Sequence, residues 1–197
     1  MPSNREISKL FTLYAELLLL HDEDERLAAL LSGAAYRLRN MTQRVASLTK
    51  ETLSDNFKPE IINIILELKK TGTVEAVDEL IQLTPQGLFE MMRIKGLGGK
   101  KLSVLWKTAK IDTVDALLES CKKNKVSKIP GFGPKTQQNI INEIEAYRTS
   151  RDLFHYASVA DGAEALVRAL QSILKTKLIS LCGAIRRRSL VGSINAQ

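Results

Sequence analysis

Two stretches of the chain repeat one pattern, IKGLGGK at Ile94–Lys100 and IPGFGPK at Ile129–Lys135. Each writes Ile-x-Gly-x-Gly-x-Lys, with two glycines flanking one apolar residue. Glycine allows a turn with positive φ and leaves no Cβ between a peptide N–H and an incoming phosphate oxygen. A helix opening just after the second glycine adds unpaired N–H groups and the positive end of its dipole. Lys100, Lys101, Lys135 and Thr136 fall on that first turn, within reach of phosphate oxygens. The chemistry on offer is phosphate binding by the backbone amides of Gly96, Gly98, Gly131 and Gly133, with lysines supplying charge. Leu97 and Phe132, between the glycines, are expected to fill the space between paired helices. Backbone phosphate carries no base identity, so such a surface holds nucleic acid without regard to sequence.

The elements that must position these turns read as helices. Asn4 is placed to cap a first helix running to about Leu20, with Ile7, Leu10, Phe11, Tyr14, Leu17 and Leu18 at helical spacing. A second follows HDED, and a third, shorter one is expected over Met41–Leu48. Ser54 and Asp55 are expected to cap IINIILELKK, which stops at Thr71–Gly72. Thr84 before Pro85 reads as an N-cap with proline at the first helical position. VEAVDELIQ and VDALLESCK are alike, and each precedes a Gly-x-Gly turn, so a helix–turn–helix unit of about 35 residues is written twice. From Ser150 the texture changes. DLFHYASVADGAEALVRALQSIL reads as one or two helices, and KLISLCGAIRRRSLVGSINAQ as a strand, a basic turn and a second strand.

Charge follows the same division. Residues 1–90 carry 10 Lys+Arg against 14 Asp+Glu, residues 91–150 carry 12 against 5, and residues 151–197 carry 7 against 3. The repeated turns therefore sit in the most basic segment, the usual footprint of a phosphate-binding surface. Chemistry of other kinds finds little support. His21 and His155 have no ligand spacing around them. No G-x-S-x-G or Walker loop occurs. Trp106 reads as hairpin core, and 5% aromatic content argues against single-strand binding by stacking. Cys121 and Cys182 make no disulfide framework and suit packing in a reducing compartment. No apolar run reaches membrane-spanning length, and MPSNREISKL lacks the apolar core of a signal peptide.

The paired Gly-x-Gly turns resemble the helix-hairpin-helix motif of DNA-repair proteins. In that family hairpin carbonyls often hold a monovalent cation that bridges to phosphate. By position the resemblance places K⁺ or Na⁺ at the carbonyls of Met92, Ile94 and Leu97, and of Ser127, Ile129 and Phe132. The wider order of features is similar to a family X DNA polymerase of the bacterial type. GAAYRLRN, with Ala35-Tyr36-Arg37, resembles that family's amino-terminal domain. GLGGKK and PGFGPKT resemble its fingers, and GAIRRRSLVGSIN the opening of its palm. The resemblance implies a mainly α protein. Residues 1–72 would form a four-helix amino-terminal domain and residues 73–150 a tandem helix-hairpin-helix domain. Residues 151–197 would form a truncated palm-like segment with a short helix and two strands.

The departures bear on activity. Family X polymerases transfer nucleotides with two Mg²⁺ ions held by carboxylates. The two palm aspartates align with Ser193 and Asn195, which are neutral, and the third carboxylate lies on a later strand. The triphosphate-binding Gly-Ser aligns with Gly183-Ala184, while Arg186 and Arg187 remain as phosphate contacts. The lyase activity of some members needs a Schiff-base lysine after a further Gly-x-Gly turn. Here that stretch is LSDNFKPEIINII, with Asp55 and Phe57 at the glycine positions and Asn63 at the nucleophile's. Lys58, Lys69 and Lys70 nearby read as exposed helix residues. The expectation is a non-catalytic protein that binds duplex or gapped DNA in repair, cytoplasmic and nucleoid-associated, with no required cofactor and no membrane contact. Two alternatives stay open: an N-terminal fragment of an active polymerase, and a protein-interaction module marked by an exposed apolar patch.

Overall fold

The computed structural model describes residues 2–151, 153–155, 167–171 and 191–193. Its described part is mainly helical and divides into two compact units, Met1–Ile141 and Asn142–Gln197. The first unit opens with α1 (Asn4–His21) and α2 (Glu25–Asn40), joined by a three-residue turn. Ser3 starts α1, not Asn4: Ser3 and Glu6 form a reciprocal capping box, which satisfies two N–H groups where a lone asparagine satisfies one. Asn4 instead donates to the Gln43 carbonyl (2.7 Å) and accepts from the Val45 N–H (2.9 Å). Those two bonds hold the chain off a helical path, so only a 3-10 turn at Val45–Ser47 stands in the stretch expected to be a third helix.

The third helix, α3 (Lys50–Ser54), starts at a Thr49 cap, and Ser54 and Asp55 end it instead of capping the next. In α4 (Pro59–Thr71) proline occupies the first turn, and Gly72 stops the helix at φ +82°. α5 (Glu75–Leu83) and α6 (Gln86–Met91) follow. Thr84 is the residue after α5, and Pro85 stands at the cap of α6. The Thr84 hydroxyl is buried, donates back to the Leu80 carbonyl (2.7 Å) and lies 2.8 Å from His21 Nε2, and α6 has no side-chain cap. The rest is α7 (Gly99–Ala109), α8 (Val114–Lys122) and α9 (Pro134–Arg151).

The core of the first unit lies under α1. Its Ile7, Phe11, Leu17 and Leu20 are fully buried, facing α2, α5 and α7. Ala28 and Ala35 on α2 are small enough to let the two helices approach closely. α4 packs on α2 and α3, and α6 on α8. Leu88, Met91, Leu102, Leu105 and Leu117 are buried among the hairpin helices.

In the second unit, β1 (Leu153–His155) pairs antiparallel with β2 (Val191–Ser193), Phe154 opposite Gly192. β2 falls where a strand was expected, but β1 lies in a stretch that reads as helical. Leu-Phe-His has no strong strand preference of its own, and it is the pairing with Val191–Ser193, distant in sequence, that makes it a strand. KLISLCGA, the other expected strand, lies outside the described residues. Among the described residues no helix is long and apolar enough to cross a membrane.

Candidate nucleic-acid interface

The two turns are built by the same hydrogen bonds, 35 residues apart. Ile94 N–H donates to Met91 O (3.0 Å), Leu97 to Ile94 (3.1 Å) and Leu102 to Gly98 (3.0 Å). In the second copy Ile129 donates to Val126 (3.0 Å), Phe132 to Ile129 (2.9 Å) and Gln137 to Gly133 (3.0 Å). Gly96 and Gly131 hold φ of +86° and +84°. That left-handed conformation carries a Cβ penalty for other residues, so glycine is required there by backbone and not by crowding. Leu97 and Phe132 are both buried, where the repeat places them as plugs between helices.

The surroundings of the two turns differ. In the first, Gly98 caps α7 in extended conformation and Gly99 is its first residue. The Glu16 carboxylate of α1 accepts the Gly99 N–H through a very short contact. A Cβ on Gly99 would stand 2.3 Å from the Glu16 carbonyl oxygen and 2.9 Å from the Leu19 Cβ, so α1 and α7 touch backbone to backbone. Lys100 pairs with Glu25 (2.8 Å), and Lys101 Nζ folds back to the Gly96 carbonyl (3.0 Å). Lys107 reaches the His21 carbonyl (2.7 Å) and Asp22 (2.8 Å). Ser103 donates to the same carboxylate (2.9 Å). The Lys107 hydrogen bond, helped by Ser103, holds the Asp22 carboxyl below its ordinary range.

His21 stands in the same junction, edge-on to Trp106 with ring centroids 5.5 Å apart. Its Nε2 lies 2.8 Å from the Thr84 hydroxyl oxygen. The Thr84 hydrogen is committed to Leu80 O, so Nε2 carries a proton and donates. Desolvation, chiefly, holds the His21 pKa below its ordinary value, with the Lys107 charge acting in the same direction. These groups serve as a joint between helices.

The second turn is open. Gly131, Gly133, Pro134 and Lys135 are exposed, Thr136 is half-buried, and nothing lies within 4 Å of a Cβ built on either glycine. α9 opens directly after Gly133 at Pro134, which has no N–H, so its leading backbone donors are those of exposed Lys135 and half-buried Thr136. No salt bridge among the described residues involves Lys125, Lys128 or Lys135, and all three are exposed. The loop is braced from beneath by Gln137, buried at the place Leu102 takes in the first copy. Its Oε1 accepts from Ser127 N–H (2.9 Å) and its Nε2 donates to Asn124 (2.8 Å).

Among the remaining expected residues, the carbonyls of Ile94 and Ile129 each accept one turn N–H and keep a second lone pair. With those of Met92, Leu97, Ser127 and Phe132 they are neutral oxygen donors of the kind that suits an alkali cation. Gly183, Ala184, Arg186, Arg187 and Asn195 lie outside the described residues, and of Ser193 only its strand backbone is described. Lys58 and Lys70 are exposed, whereas Lys69 donates to the Leu48 carbonyl (2.8 Å). Among the described residues no group of three His, Cys, Asp or Glu side chains could hold a metal ion. Glu16, Gln137 and Gly99 are not singled out by the motif. The repeat holds the signal for two of them, Gly99 against Pro134 and Leu102 against Gln137.

With this geometry in view, comparison with known proteins is direct. Residues 88–146 match the SAM-like helix-hairpin-helix tandem. That span runs from α6 to within α9 and contains both turns. The tandem covers the segment where charge is most positive. Over 125 residues the chain is also 26% identical to the DNA polymerase/3'-5' exonuclease PolX of Bacillus subtilis (strain 168). The alignment takes in 64% of this chain and 22% of that protein. The resemblance to family X DNA polymerases drawn from the sequence stands, for a part of such a protein.

Proposed function

We propose that this chain binds DNA without regard to sequence, through phosphate contacts of its helix-hairpin-helix tandem, in a repair setting and without nucleotidyl transfer of its own. The tandem and the likeness to a DNA polymerase point to DNA as the ligand class. The observation that carries the reading is the second turn. Gly131 at φ +84° and exposed Gly133 precede an 18-residue helix that starts at Pro134 and carries exposed Lys135 on its first turn. Duplex or gapped DNA offers evenly spaced phosphates to such a surface, and an alkali cation on the turn carbonyls would add positive charge beside them.

The test is salt dependence. Each phosphate contact contributes a slope of about −0.9 to log K against log salt. For a surface of this size a total slope of about −2 to −4 is expected, the same for unrelated duplexes of one length. Lys135→Ala should make the slope shallower by about one. Binding that is flat in salt, or confined to one sequence, contradicts the reading.

A further inference from the structure

The two turns share a backbone but not a ligand environment. Three groups of the first turn that could meet a phosphate are engaged within the protein, two of them by the N-terminal helices. The Gly99 N–H points at the Glu16 carboxylate, Lys100 at Glu25, and Lys101 at the turn's own Gly96 carbonyl. A carboxylate at a helix N-terminus offers the same anionic oxygen as a phosphate and is stabilised there by the same N–H groups and dipole. Its charge also repels an approaching phosphate. The second turn has Pro134 where the first has Gly99, so it offers no N–H at that place and relies on the amides of Gly131, Gly133 and Lys135, and its Lys135 forms no salt bridge among the described residues.

We propose that Glu16 is a built-in occupant of the first turn's phosphate position, so that DNA is held through the second turn alone. The acidity of the N-terminal segment then has a role: it neutralises the first hairpin and docks it. This inference rests on the DNA-binding reading above, and the experiment separates the two.

The full chain is titrated with a short duplex while backbone amide resonances are followed. The amides of Gly131, Gly133 and Lys135 are expected to shift, and those of Gly98, Gly99 and Lys100 to stay. In Glu16→Ala, which leaves a good helix former on α1, the Gly98–Lys100 amides should join the response. The salt slope should steepen by about 0.9, one further phosphate. Shifts at both turns in the unsubstituted chain overturn this proposal and leave DNA binding standing. Shifts at neither turn overturn both. An unchanged slope in a folded Glu16→Ala chain also overturns the proposal. If that variant does not fold, Glu16→Gln removes the charge with little change of shape, and the same criteria apply to it.

Discussion

At the scale of single residues, His21 shows how one side chain records its surroundings. It is neutral, it donates through Nε2 to Thr84, and burial with Lys107 nearby disfavours its charged form. Asp22 and Glu23 pull the other way but do not prevail. Unfolded, the imidazole takes up a proton near pH 6.5. Folded, it does so at a lower pH, so in the window just below about 6.5 the unfolded chain binds more protons. Stability should be flat above that window and fall as pH drops through it. Denaturant midpoints measured between pH 7.5 and 5.5 should show this decline, and His21→Gln, which keeps a donor for Thr84, should remove it. A decline of equal size in the variant would place the titrating group elsewhere. Cys121 makes a second residue-scale case: burial pushes its thiol up to about 11, which fits a packing residue and not a reactive one.

At the scale of elements, the two turns separate two reasons for glycine. At Gly131 the requirement is φ alone, since open space surrounds the position. Valine there should strain the turn, misaim the start of α9 and weaken DNA binding by more than any single lysine change. Circular dichroism would confirm that the variant folds. At Gly99 the requirement is space. Alanine would meet the Glu16 carbonyl at 2.3 Å, and the clash should cost about 1–3 kcal/mol of folding stability. Pro134→Ala, at the same place in the repeat, should stay within about 0.5 kcal/mol of the parent in the same denaturation experiment. The helices were legible because their apolar spacing and stop signals are local; Gly72 ends α4 as its sequence says. Helix starts were less legible. Ser3 outcompetes Asn4 through Glu6, and Thr84 spends its hydroxyl on the preceding turn, choices settled by side-chain geometry. The turns were visible as a pattern, but Glu16 was not. The contact it makes joins positions 83 residues apart, and nothing in YAELLLLH marks which helix it will face.

At the scale of the molecule, function follows from how charge and chain are distributed. The largest surplus of Lys+Arg falls on the segment that carries the tandem, and the carboxylates of the first segment meet part of it. On the proposed non-catalytic reading, in which the resemblance aligns Ser193 and Asn195 with the metal-binding aspartates of family X polymerases, no primer extension is expected from this chain on a gapped template with Mg²⁺ or Mn²⁺. Any extension by the purified chain contradicts the non-catalytic reading. The contact between α1 and α7 has one more consequence, and it concerns time. As the chain is synthesised, α1 and α2 emerge first and can pair at once, being joined by a short turn. The side of α1 that receives α7 must wait until Gly99 and the rest of that helix have followed, 83 residues behind Glu16. Closure of this unit therefore comes late, and a nascent chain halted before α7 leaves the Glu16–Leu19 side of α1 uncovered.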